Sequence, residues 1–316
     1  MPEHLRDRDC PELSPGTRVV TETDVIAPNS RVLHPRGAVG VVVDVVARSD
    51  RPYQVRFPDG LIRSFSSSEI MRLVDYQQTR IGLDRTKAEQ TDLFRRVIYR
   101  CVIGSQAYGL AQGDSDIDQR GIYLPPAEWH WSLYGVPEQV ERHETQEVYW
   151  ELQKFLILGL KANPNVLECL YTPLVKKATP LALELLQMRS IFLSRLVYQT
   201  YNGYAMSQFK KIQADVHNHG RVKWKHAMHL IRLLISGISV LRDGLVTVRM
   251  DSHREQLLAI RRGEVPWEEI DRWRLSLHAE LDRALAETKL PERPDYERAN
   301  QLLIRARRAA LEDELP

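Results

Sequence analysis

Residues 103–118 read Ile103-Gly104-Ser105-Gln106-Ala107-Tyr108-Gly109-Leu110-Ala111-Gln112-Gly113-Asp114-Ser115-Asp116-Ile117-Asp118, and the rest of the chain is understood outward from them. The stretch joins a glycine-serine turn to two aspartates one residue apart. In an extended segment alternate side chains share a face, so Asp116 and Asp118 are expected to project together while Ile117 turns into the core. Two neighbouring carboxylates repel, and a hard divalent cation with oxygen ligands is the usual group that makes them tolerable. Gly104 and Ser105 complement that half, because a glycine turn offers backbone N–H groups and a hydroxyl to phosphate oxygens without a Cβ in the way. An isolated Asp-x-Asp is more often a solvated pair. Here it follows the apolar run Val97-Ile98-Tyr99-Arg100-Cys101-Val102-Ile103, which reads as a strand ending at the glycine.

With 316 residues the chain has room for two or three cored domains. Its 44 Lys and Arg balance 42 Asp and Glu, so any surface for a polyanion must be local. No apolar run is long enough to span a bilayer, and residues 1–9 are charged where a secretory signal would be apolar. A cytoplasmic protein with no membrane partner is therefore expected. Cys10, Cys101 and Cys169 lack metal-ligand spacing and are expected to be thiols, two of them inside apolar segments.

After a tail over residues 1–14, residues 15–76 alternate β-rich runs with turns: Arg18-Val-Val, Ala38-Val-Gly-Val-Val-Val-Asp-Val-Val, Tyr53-Gln-Val-Arg-Phe and Leu61-Ile-Arg-Ser-Phe, with Pro58-Asp59-Gly60 as a hairpin signal. This pattern resembles SH3-like barrels that bind proteins or RNA. A connector follows, entering a helix with Asp84 as candidate N-cap. Residues 77–178 read as helix, strand, turn, strand, hairpin, strand and helix, the second strand stopping at Pro125-Pro126. Residues 179–316 are helical throughout, with apolar spacing over 181–201, 204–216, 222–242, 252–262, 266–288 and 295–311.

The strand, Gly-Ser turn and Asp-x-Asp together resemble the DNA polymerase β-like nucleotidyltransferase superfamily. Three segments are similar to one branch of it, the predicted nucleotidyltransferases associated with RNA repair: Gly104-Ser-Gln-Ala-Tyr-Gly-Leu-Ala, Ser115-Asp-Ile-Asp-Gln-Arg-Gly-Ile-Tyr-Leu-Pro-Pro and Lys161-Ala-Asn-Pro-Asn-Val-Leu-Glu. The resemblance is strong over residues 95–171, looser over 225–234, and absent from the N-terminal part. It implies an α+β chain with a small mixed β-sheet nucleotidyltransferase core and a C-terminal helical subdomain behind that sheet, here preceded by the small β-barrel. The implied activity moves a nucleoside monophosphate from an NTP to a hydroxyl acceptor with Mg2+ or Mn2+. An RNA 3′ end is the acceptor the family association suggests, and a protein or small-molecule hydroxyl is chemically equivalent. One departure is Gln119, at a position usually apolar in the superfamily.

On this reading Asp116 and Asp118 hold the metal, and a third carboxylate on an adjacent strand completes the set. Glu147 is the first choice, because Thr145, Glu147 and Tyr149 share a strand face; Glu151 and Glu144 compete. Gly104 and Ser105 face the phosphates. Lys225, His229 and Arg232 fall on one helical face at i, i+4 and i+7, and the resemblance implies the triphosphate as their anion. A solvated basic stripe is the alternative. Arg120 pairs with an acidic neighbour, touches phosphate or is a plain surface arginine. Lys210, Lys211, His217, His219, Arg221, Lys223, Trp224, Lys225 and His226 mix cations with an aromatic, as suits either single-stranded nucleic acid or an ordinary helix surface. Asn163-Pro164-Asn165 reads as a helix stop and cap, with Asn165 capping the next helix, and substrate contact is the alternative. The rival to the enzyme is an inactive adaptor that binds RNA or protein through the barrel and a decayed transferase fold; the joint presence of Gly104, Ser105, Asp116 and Asp118 argues against it.

Overall fold

The computed structural model of the chain describes residues 13–27, 30–46, 49–80, 93–113, 115–220 and 222–311. The helix expected to begin at Asp84, and Cys10, Asp114 and Arg221, lie outside them. The chain divides into two compact units, residues 1–86 and 87–316.

In the N-terminal unit the strands are β1 (Arg18–Thr21), β2 (Val25–Ile26), β3 (Val32–His34), β4 (Val39–Val45), β5 (Tyr53–Arg56), β6 (Ile62–Phe65) and β7 (Ile70–Arg72), followed by helix α1 (Leu73–Arg80). Five of them form an antiparallel sheet in the order β6-β5-β4-β1-β7, while β2 and β3 pair separately. The Pro58-Asp59-Gly60 turn joins β5 to β6 as its residues predict: Gly60 takes φ +87°, and the Asp59 carboxylate accepts from Leu61 N at 3.0 Å. Val19, Val42, Val55, Phe57 and Phe65 fill the core.

The second unit is built on a mixed sheet whose strands are β8 (Val97–Ile103), β9 (Asp118–Tyr123), β10 (Gln139–Arg142), β11 (Glu147–Glu151) and β12 (Val175–Ala178), in the order β10-β11-β9-β8-β12. Helix α2 (Gly104–Tyr108) lies between β8 and β9, and α3 (Leu152–Leu160) and α4 (Pro164–Tyr171) follow β11. Six of the seven residues of β8 are buried, which is why this strand is apolar on both faces. β9 runs parallel to β11 with Gln119 opposite Glu147, and antiparallel to β8 with Asp118 opposite Ile103. The edge strand β12 had no strand signal, because Val-Lys-Lys-Ala shows no alternation. Its exposed Lys176 and Lys177 suit an edge that must not recruit another strand.

Helices α5 (Pro180–Gln187), α6 (Leu196–His219), α7 (Trp224–Asp243), α8 (Arg254–Arg262), α9 (Trp267–Glu287) and α10 (Tyr296–Ala309) complete the unit. The expected helix over 181–201 is interrupted. Ile191, Phe192 and Leu193 are all buried, and three consecutive residues cannot share one helix face, so the chain leaves the helix to bury them. The expected break near residue 203 is missing: Gly203 stands in open space inside α6, at a cost of roughly 1 kcal/mol against alanine. Helix α7 packs against α6, α8 and α9, and one continuous hydrophobic core joins these helices to one face of the sheet. A smaller cluster of Leu93, Val97, Tyr123, Val140 and Tyr149 covers the other face. Among the described residues no helix is long and apolar enough to cross a membrane.

Candidate active site

The strand β8 ends at Ile103, and Gly104 turns the chain into α2 with φ +73°. Because Asp118 is registered opposite Ile103, its carboxylate lies against this turn. A Cβ on Gly104 would sit 2.6 Å from Asp118 Oδ2, closer than carbon and oxygen tolerate. Gly104→Ala is therefore strained twice, by φ and by contact, and is expected to lower stability by about 1–3 kcal/mol. Urea unfolding checks the loss.

The turn is held from behind. Leu110 N donates to Ser105 O at 2.9 Å, Met250 N to Tyr108 O at 3.0 Å, and Arg254 Nε to Gly109 O at 2.9 Å. Arg261 Nη1 donates to Leu110 O at 2.9 Å. Further on, Ser115 Oγ donates to Gln112 O at 2.7 Å and accepts from Gln112 N at 3.0 Å, which makes it a turn residue rather than a ligand. Strand β9 begins at Asp118, so residues 115–117 precede the regular alternation. Ile117 is consequently 55% exposed, against the expectation that it enters the core, and Asp116 beside it is exposed too.

A cavity of about 210 Å³ opens here, lined by Gly104, Ser105, Asp118, Arg120, Lys225, His229 and Arg261 among others. Arg120 Nη2 reaches Asp118 Oδ1 at 3.3 Å, while its Nη1 donates to Gln119 O at 2.8 Å and to Gln146 O at 2.9 Å. This pairing resolves the expectation for Arg120 in favour of an acidic neighbour. Lys225 and His229 enter the cavity from one face of α7, as their spacing predicts.

His229 is not a cation, however. Burial first, then the charges of Arg232 and Lys225, push its pKa down from 6.5 to about 3. The imidazole is neutral near pH 7. A depressed histidine pKa means that the unfolded chain binds the extra proton first, so stability falls as pH drops below about 6.5. From pH 7 to pH 4 the loss traceable to His229 is expected to be about 3 kcal/mol. Urea unfolding of the parent and of His229→Gln at both pH values checks this, since the variant should show a shallower dependence.

Arg232 departs from expectation more strongly. One turn beyond His229 it points beneath the cavity, not into it, and is 4% exposed. Its Nη1 reaches Glu168 Oε1 at 2.5 Å, and its guanidinium lies 3.9 Å over the Tyr108 ring. The i+7 position of α7 is on the same face but at a depth where the core has closed.

Glu147 is not brought to the aspartates. Parallel register with Gln119 places its side chain on the sheet face opposite Asp118, because Asp118 and Gln119 alternate. There its Oε1 accepts from Gln119 Nε2 at 3.3 Å, and Oε2 lies 3.6 Å from Arg142. Of its competitors, Glu151 stands at the far end of β11, where it caps α3 by accepting from Lys154 N at 3.0 Å. Burial raises its pKa. Glu144 is exposed in the hairpin ending at Gln146, whose carbonyl receives Arg120, and so lies at Asp118's end of the sheet. Among the described residues no three His, Cys, Asp or Glu side chains gather as a metal set.

Elsewhere the structural readings prevail. Asn163, not Asn165, caps α4, accepting from Asn165 N at 3.0 Å, with Pro164 in the first turn. Trp224 packs into the core against Gly263, Lys223 pairs with Asp215 at 3.0 Å, and His226 meets Gln208 at 3.0 Å. The aromatic of that mixed stretch is thus committed to packing. Cys101 and Cys169 are buried free thiols. Arg261 was missed by the sequence reading; its one signal was Arg261-Arg262 closing an amphipathic helix.

A sheet with a Gly-Ser turn at a strand end and an aspartate laid against it, backed by a helical layer that lends cations, is a nucleotidyltransferase-type architecture. Residues 77–305 match the RNA repair pathway DNA polymerase beta family, and the chain belongs to that family. Over 96 residues it is 34% identical to the uncharacterized protein YcgL of Bacillus subtilis (strain 168), a match covering 29% of this chain and 37% of that protein.

Proposed function

We propose that the chain is a metal-dependent nucleotidyltransferase that moves a nucleoside monophosphate from an NTP to a hydroxyl acceptor, an RNA 3′ end in the first instance. The observation that carries this reading is the meeting, in one cavity, of the Gly104-Ser105 turn, the Asp118 carboxylate and the cations Lys225 and Arg261. Carboxylate oxygens beside a phosphate cradle are the donor set a Mg2+ or Mn2+ ion takes, and the missing Cβ of Gly104 leaves room beside Asp118 Oδ2. Asp118 and the exposed Asp116 would hold such an ion, which when bound neutralises phosphate oxygens and favours deprotonation of the acceptor hydroxyl.

The protein's own groups divide the remaining work. Ser105 and the backbone of the turn orient phosphate oxygens, Lys225 and Arg261 offset their charge, and Arg120 keeps Asp118 turned toward the cavity. Neutral His229 offers one ring donor and one ring acceptor and no charge. The cavity is below the ~300–1,000 Å³ usual for a whole small-molecule ligand, so it suits the phosphate end of a substrate, with sugar and base outside. The RNA acceptor, and a protein or RNA partner held by the strand-rich N-terminal unit, belong to the same proposal.

The test is incubation of the full chain with each labelled NTP, Mg2+ or Mn2+ and an RNA pool of mixed sequence, with labelled RNA as the expected product. Calorimetry then measures NTP binding. Arg261→Ala is expected to weaken it by about 1.5–3 kcal/mol, as for a lost hydrogen bond to a charged group. Unchanged NTP affinity in both Arg261→Ala and Lys225→Ala would remove the cavity from the reading.

A further inference from the structure

At the floor of the cavity three side chains from distant segments meet almost fully buried. Tyr108 closes α2, Glu168 lies in α4, and Arg232 lies in α7; they are 5%, 0% and 4% exposed. Tyr108 Oη donates to Glu168 Oε2 at 2.6 Å, Arg232 Nη1 donates to Glu168 Oε1 at 2.5 Å, and the guanidinium rests on the Tyr108 ring at 3.9 Å. Both carboxylate oxygens are thereby engaged.

We propose that this trio is the positioning device of the phosphate-cradling turn, with Glu168 as the positioning residue and Tyr108 as its arm. The inference rests on the function proposed above for what the turn does, and on geometry for how the turn is held. A five-residue helix entered through a residue at positive φ has no stability of its own, so its shape is imposed from outside. Hydrogen bonds from Met250 N and from the Arg254 and Arg261 guanidinium groups to the carbonyls of residues 108–110 fix the end of the turn. Leu110 N ties that end back to Ser105 O at 2.9 Å. Tyr108 adds a side-chain anchor four residues from Gly104, with its ring face against a cation and its hydroxyl on a carboxylate.

Packing alone is a weaker explanation. A buried ion pair gives little or no net stability over apolar side chains of the same volume, and here Arg232 Nε is left buried without a hydrogen-bond partner. What the charged trio adds is direction: a phenol that must point at one carboxylate oxygen, and a guanidinium that must lie flat on one ring.

Tyr108→Phe tests this, since it keeps the ring under Arg232 and deletes the single O–H bond. Amide hydrogen exchange of the full chain is expected to speed up about tenfold or more across residues 104–110, with α6 and α7 unchanged. In single-turnover transfer to the mixed RNA pool, the rate at saturating NTP is expected to fall about tenfold while NTP affinity changes by less than about threefold, because Lys225 and Arg261 keep their places. Exchange and rate both at parent values, with only a lowered melting temperature, would make the trio a mere stability element and overturn the proposal. If the parent chain transfers no nucleotide, the functional reading fails by itself, and the exchange measurement still decides whether Glu168 and Tyr108 hold the turn.

Discussion

Asp118→Asn is expected to reduce nucleotidyl transfer by about 10³-fold, the rate equivalent of losing about 4 kcal/mol of transition-state stabilisation from a weakened metal site. The fold should be indifferent to the change. Asp118 is partly exposed, and its ion pair with Arg120 at 3.3 Å is the half-solvated kind that contributes within about 1 kcal/mol. A neutral amide retains the shape of the side chain. The measurement is transfer with the preferred NTP beside a thermal melt: a variant with parent-level transfer would sink the metal assignment, and one that failed to fold would show that Asp118 has a structural duty.

Arg232→Ala is expected to act in the opposite way, costing about 3–5 kcal/mol of stability because it strands the Glu168 carboxylate without its cation at zero exposure. Against a total of about 5–15 kcal/mol for an ordinary domain, that is enough to bring the melting transition close to working temperature. Arg232→Lys should fall between the two, keeping the charge but losing the flat fork that lies on Tyr108. A melting temperature within about two degrees of the parent for Arg232→Ala would contradict the buried pair.

The contrast marks where the sequence was legible. The Gly-Ser turn, the aspartates, the strand before them and the periodic helices behind them are local patterns, and local patterns survive in one dimension. Lys225 and His229 could be placed because four residues along a helix is also a spatial statement. Arg232 obeys the same arithmetic and still ends beneath the site, because periodicity gives a direction around the helix axis and says nothing of where the neighbouring layer closes. Glu147 misled for a related reason: its own alternation was right, but which face it shares with Asp118 depends on the register between two strands, and register is set by pairing. Arg261 had no readable link to Gly104 at all, since the two meet through a helix that begins 150 residues later.

That last separation has a bearing on how the molecule comes into being. Ser105, Asp118, Lys225 and Arg261 enter the cavity from segments spread over half the chain, and β12 must return to β8 across the three strands and three helices between them before the sheet is closed. Such a site has high contact order and forms late. During synthesis Asp118 emerges together with its partner Arg120 but long before the other cations of the cavity, so a growing chain that ends short of α7 lacks both Lys225 and Arg261. On the function proposed above, a cavity able to hold a triphosphate would be complete only once the helical layer has docked.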